Sequence, residues 1–203
     1  VAKIGVLCEE VILLAAKSLM EGNAENSKQV LMIDPKIDHM EKDIEMLCMQ
    51  LMMKQQPIAR DLRQISGALK MITDMERIGD QATDIANIVP YLNGRTGDEC
   101  ESIQIMANTC IHMVNDSVNA FLNEDIYLAK SVIDQDDIVD EHFEKMRKAL
   151  IKMIADNPED GEYALDLMMI AKYFERIGDH ATNIAEWAVY SVTGIHRSSE
   201  LAE

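Results

Sequence analysis

Two stretches hold most of the side chains with which this sequence could do chemistry: ERIGDQATDIA at 76–86 and ERIGDHATNIA at 175–185. Glu76, Asp80 and Asp84 are answered 99 residues later by Glu175, Asp179 and Asn183. Residues four apart on a helix differ by about 40° around its axis, so each set forms one near-straight stripe. Like charges at that spacing cost a helix roughly 0.2–0.5 kcal/mol per pair, so a stripe kept twice calls for a counter-charge. A multivalent cation held by several carboxylates would supply it, because hard ions take oxygen ligands. The competing reading is a solvated face, with Arg77 paired to Asp74 and Asp80 and Arg176 to Asp179, since exposed pairs at this spacing are common and weak.

Further residues join the candidate set. Asp34 and Asp38 form a DxxxD on the shoulder of an upstream apolar stripe, and Asp136 and Asp140 repeat it 102 residues later. From that shoulder Asp34 and Asp38 are able to face the acids of a neighbouring helix across a groove, and sequence alone does not make them converge. Gly79 and Gly178 sit inside the motifs, where a glycine costs about 0.8–1 kcal/mol against alanine; either a tight helix crossing or a ligand accounts for them. Met71 and Met75 become Ile170 and Phe174 in the second copy, whereas Glu, Arg, Ile, Gly and Asp are kept. His180, where the first copy has Gln81, is an extra ligand candidate or a rim residue. No HExxH, phosphate loop or Glu-x-x-His pair occurs, and no Ser or Cys nucleophile has a recognisable partner. The sequence therefore reads as a binding protein and not an enzyme; a metal-dependent enzyme or metal store on a helical carboxylate bundle is the alternative.

Positioning these stripes is the work of helices. Aromatic residues make up 4% of the 203-residue chain and there are 15 Met, a helix-forming composition. Val30, Ile33, Ile37, Met40, Ile44, Leu47 and Leu51 step by three and four, which predicts a core-facing stripe on a helix over 24–53. Gly22 and Asn23 predict the stop before it, Pro57 the first turn of a third helix, and the Gly-containing segment 93–97 the boundary between repeats. A fourth helix over 98–122, a fifth capped by Asn123 and a sixth stopped by Gly194 complete the second copy. The expected fold is all-α: two tandem three-helix bundles, 1–94 and 95–203. The charge of −17 excludes direct nucleic-acid binding and favours cations or basic partner surfaces. Four cysteines without CxxC spacing read as reduced thiols of a cytoplasmic protein, and no apolar run is long enough to insert in a membrane. Because Val1 already falls inside a helical pattern, leader residues are expected to precede it.

The stretches QQPIARDLRQISGALKMITDMERIGDQATDIA at 55–86, IDPKIDHMEKDIE at 33–45 and YFERIGDHATNIAEWAVYSVTG at 173–194 resemble the PhoU family of phosphate-signalling proteins, and the likeness spans essentially the whole chain. The resemblance implies a cytoplasmic negative regulator of the phosphate-starvation response and of phosphate uptake. It implies an adaptor between the ATP-binding subunit of a phosphate ABC transporter and a sensor histidine kinase, and a homodimer. An accessory role at a different phosphate carrier is the variant reading. Some family members bind iron or zinc clusters through E/DxxxD motifs, which implies Asp34, Asp38, Glu76, Asp80 and Asp84 as one ligand set and Asp136, Asp140, Glu175, Asp179 and Asn183 as the other. Asn183 departs from the pattern by replacing a carboxylate with an amide, so the first set is expected to hold metal more strongly.

Overall fold

A computed structural model describes residues 1–97 and 100–196. Six helices account for nearly all of them: α1 (Ala2–Glu21), α2 (Ala24–Gln55), α3 (Ala59–Ile88), α4 (Cys100–Asn123), α5 (Ile126–Asp156) and α6 (Gly161–Thr193), with short 3-10 turns at Val89–Leu92 and Pro158–Asp160. Each repeat is an up-down-up bundle, α1–α3 and α4–α6, as short loops between long amphipathic helices require. The predicted punctuation holds at Gly22, a left-handed C-cap, at Asn23, whose side chain accepts from the Glu25 amide, and at Gly194.

Three expectations shift. Asn123 closes α4, and the cap of α5 is Asp125, whose carboxylate accepts from the amides of Tyr127 and Leu128. Pro57 stands just outside α3 instead of in its first turn. Leu47 is 55% exposed, and Cys48 is the buried residue of that turn. The reason is length: at about 1.5 Å per residue the 20-residue α1 cannot flank all of the 32-residue α2, so the end of α2 has no α1 beside it. The expected start of the fourth helix at Asp98 lies outside the described residues.

One continuous apolar core runs through both repeats, with Ile12, Met75, Ile78, Ile103, Met106, Phe174 and Ile177 all fully buried. The repeats meet along α3 and α6 and along α1 and α4, where Gly5 admits the methyls of Val118. A polar clasp adds to this at one end: Arg60 of α3 donates to both oxygens of Glu124 in the α4–α5 turn, and Gln64 donates to one of them. All four cysteines are buried. Among the described residues no helix is long and apolar enough to cross a membrane.

At Gly22, φ is +59° and an added Cβ would stand 3.0 Å from the Gly94 Cα, where the segment between repeats returns to the first hairpin. Gly22→Ala is therefore expected to destabilise by about 1–2 kcal/mol, through left-handed strain and backbone crowding, and to lower the melting temperature by several degrees in a thermal scan.

Candidate metal centre: two facing acidic clusters

Ile78 and Ile177 turn inward, which swings the acids on either side of them toward the helix that precedes each motif helix. There α2 presents Asp34 and Asp38 to α3, and α5 presents Asp136 and Asp140 to α6. The glycines make this approach possible. A Cβ at residue 79 would meet Asp34 Oδ1 at 2.8 Å and Ile37 Cδ1 at 3.2 Å; at residue 178 it would meet Asp136 Oδ1 at 3.0 Å and Val139 Cγ1 at 3.4 Å. Both glycines thus mark a helix crossing whose closest visitor is a carboxylate.

Crowding shows in the acidities. The Asp34 carboxyl is pushed up by burial first, then by Asp38, Asp80 and Asp84, with the Thr83 hydroxyl working the other way. Glu76 is pushed up by burial, Asp80, Glu41 and Asp38, against the pull of Arg77. In the second repeat, burial, Asp140, Asp179 and Glu175 drive Asp136 up to about 6. Asp140 and Asp179 are raised as well, each by desolvation and by Glu175. Asp34, Asp38, Glu76 and Asp80 thus share one cluster, and Asp136, Asp140, Glu175 and Asp179 share the other.

The third position of each stripe behaves differently, because it lies at the seam between α3 and α6. The Asp84 carboxyl is raised by burial and then by Asp80, with Arg176 of the other repeat pulling it back, and the Tyr173 hydroxyl is raised by burial first and then by Asp84. Asn183 donates its amide to Asp74 Oδ1 at 3.1 Å, and His180 Nδ1 lies 2.9 Å from the same oxygen. Asp74 is thus bound across the seam. Arg77 pairs with Asp80 at 3.1 Å and Glu76 at 3.5 Å, and Lys172 takes Glu175.

The sequence does not single out Glu41, Lys172, Thr83 or Thr182, and it offers Asp74 only as a partner for Arg77. The threonine hydroxyls are buried without a completed hydrogen bond in both repeats, as is Asp34 Oδ1. The identical Ala-Thr after each acidic pair was the available signal. Beneath each cluster a thiol of the first helix in the repeat donates to the carbonyl just before the motif glutamate: Cys8 to Met75 at 3.4 Å and Cys110 to Phe174 at 3.3 Å.

Among the described residues no three Asp, Glu, His or Cys side chains close on a single point. The donor set fits a hard cation by type nonetheless: it is all oxygen, and Asp34 Oδ1 is buried with no completed hydrogen bond, although the Thr83 hydroxyl pulls on the same carboxyl.

These acids bind protons more tightly in the folded than in the unfolded chain, so stability falls as pH rises from the ordinary value of 3.8 to about 6 for Asp136. The carboxyls held low, Glu124 by Arg60 and Glu144 by Arg147, act in the opposite sense and only toward lower pH. Metal-free protein is expected to melt higher at pH 5 than at pH 7.5. Asp136→Asn is expected to recover about 1 kcal/mol at pH 7.5, after allowance for solvent screening, and almost nothing at pH 4; chemical denaturation at the two pH values checks both.

The PhoU domain model matches residues 1–89 and again 103–188, one match in each repeat. The phosphate-specific transport system accessory protein PhoU homolog of Aquifex aeolicus is 37% identical, aligning 96% of this chain with 88% of its own length. The homolog of Clostridium acetobutylicum is 32% identical over 95% of this chain and 89% of its own. The crystal structure of PhoU from Pseudomonas aeruginosa superposes with a TM-score of 0.91 at 31% identity, covering 96% of this chain and 94% of that one. The phosphate transport system regulatory protein PhoU from Streptococcus pneumoniae superposes at 0.88, with 26% identity and coverage of 96% and 92%. With two domain matches, identities above 30% over nearly the full length and the same six-helix architecture, this chain belongs to the PhoU family.

Proposed function

We propose that the chain is a cytoplasmic accessory protein of a phosphate transport system, acting as a negative regulator of the phosphate-starvation response and of phosphate uptake. It acts as an adaptor between the transporter's ATP-binding subunit and a sensor histidine kinase, and it carries metal in its acidic clusters. The regulatory part is supported by relatives named as accessory and regulatory proteins of phosphate transport. The metal part rests on one observation: in each repeat a carboxylate is seated against a helical glycine among other carboxylates. Asp34, Asp38, Glu76 and Asp80 would hold one ion site, with Asp84 at its edge; Asp136, Asp140, Glu175 and Asp179 would hold the other, with Asn183 at its edge.

A bound cation supplies positive charge to several carboxylates at once. The chain's part is to hold those carboxylates close enough to repel one another without it. Because His180 is turned to Asp74, the donors are oxygens alone. Such a set suits iron in its ferric form or manganese better than zinc, which favours nitrogen and sulfur. The excess of negative charge also suits docking on basic surfaces of the transporter or kinase.

Metal analysis of the purified protein should find iron, manganese or zinc in the wild type, and less in both Asp80→Ala and Asp179→Ala. Equally low metal in all three would remove the metal part. For regulation, deletion of the gene should raise phosphate-responsive transcription several-fold in phosphate-rich medium; unchanged transcription would count against the regulatory role.

A further inference from the structure

The two repeats differ in what covers the first turn of their motif helices. Arg95, in the segment that follows the first repeat, crosses to the start of α6. There its guanidinium donates to Asp160 Oδ1 at 2.6 Å and lies 3.8 Å from the centre of the Tyr163 ring. The Asp160 carboxyl is held below the ordinary range, first of all by that bond. An arginine thus closes the approach to α6.

By the offset of 99, Asp160 corresponds to Asp61, Tyr163 to Gln64 and Arg95 to Gly194. The segment after α6 does return to the start of α3, because a Cβ on Gly194 would stand 3.4 Å from Arg63 Cδ. A glycine, however, sends no side chain to Asp61. Among the described residues Asp61 closes no hydrogen bond or ion pair; it acts only at a distance on Arg60, which is itself bound to Glu124. Beside it lies an open cavity of about 360 Å³, walled by Leu51, Pro57, Ile58 and Ile65, with Asp61 and Gln64 among its polar members.

The chemistry of this cavity is that of a seat for arginine. Aliphatic walls suit the methylene stem, and the two oxygens of Asp61 match the fork of a guanidinium. Gln64 spends an amide N–H on Glu124 Oε1 at 2.6 Å, which leaves its oxygen to accept a further guanidinium N–H. The seat lacks the ring that Tyr163 supplies in the second repeat and has an amide in its place. Ile58 is 72% exposed and Leu62 46%, so an apolar residue next to the arginine would find cover at the rim.

We propose that this cavity is a docking seat for an arginine side chain of a partner protein, presented beside an apolar residue, and that Arg95 on Asp160 is the chain's own copy of the contact. The seat lies at the turn from α2 to α3, within the stretch QQPIARDLR, and it stands whether or not the acidic clusters bind metal. It goes beyond the adaptor reading by naming the side chain that a partner must bring.

The test is a titration of the isotope-labelled full chain with a capped peptide of its own residues 92–97, Leu-Asn-Gly-Arg-Thr-Gly, followed by amide chemical shifts. Two further peptides carry citrulline or lysine in place of the arginine. The variants are Asp61→Asn, Arg95→Gly and, as a remote control with the same change in charge as Asp61→Asn, Glu10→Gln. The arginine peptide should give saturable shifts around the cavity, at residues 51 and 56–65. Citrulline in the peptide and Asp61→Asn in the protein should each weaken binding by about tenfold or more, since a charge-assisted pair is lost, and Glu10→Gln should leave it unchanged. Arg95→Gly should add a second set of shifts around Asp160, where the same seat is uncovered. Because the citrulline and lysine peptides are tried on the wild-type chain, the test stays decisive where a variant fails to fold. Shifts scattered over the acidic surface, equal binding of the citrulline or lysine peptide, or equal effects of Asp61→Asn and Glu10→Gln would overturn the seat, and so would a folded Arg95→Gly without the second set.

Discussion

Asp34 reaches the backbone of α3 because residue 79 has no Cβ, and Asp136 reaches α6 because residue 178 has none. Much of the site's geometry follows from that contact. It brings one helix of each repeat against the next more closely than side chains would allow. It places a DxxxD pair opposite a stripe of acids on the facing helix, and it leaves a buried carboxylate oxygen without a completed hydrogen bond in the first repeat. The core on the other side of the motif, centred on Ile78 and Ile177, holds the helices there against the repulsion. Burying each of those isoleucines contributes roughly 1.5–3 kcal/mol, against about 1 kcal/mol for the crowded Asp136 carboxyl after solvent screening, so packing wins and the acids stay clustered.

Periodicity made the helices legible, because a stripe repeating every three to four residues has only one way to bury itself. Glycine and asparagine made Gly22, Asn23 and Gly194 legible as ends. Leu47 was misread because a hydrophobic position is core-facing only where another helix covers it, and coverage depends on the length of α1, which no local pattern in α2 records. Asn123 and Asp125 are both good caps by type; which of them serves is decided by where α4 stops.

The acidic residues were legible as two stripes and two DxxxD pairs because the chain repeats itself. What the repeat could not convey were the residues by which its copies differ. Lys172 and Glu41 look like ordinary surface charges until the helices are packed, and then they sit on opposite sides of the same question of local charge. Asp74 was read as a partner for Arg77; instead it serves the seam, held by His180 and Asn183 of the other repeat. Contacts between copies are invisible to a comparison of copies.

The core passes without interruption from the first repeat into the second, and this makes the two bundles one cooperative unit. Neither α3 nor α6 can loosen without uncovering apolar surface that belongs to its counterpart, so a disturbance at one acidic cluster reaches the other as a change in a common folding equilibrium. Duplication here yields two acidic clusters that share a single free-energy reservoir, so that whatever destabilises either one weakens the support of both.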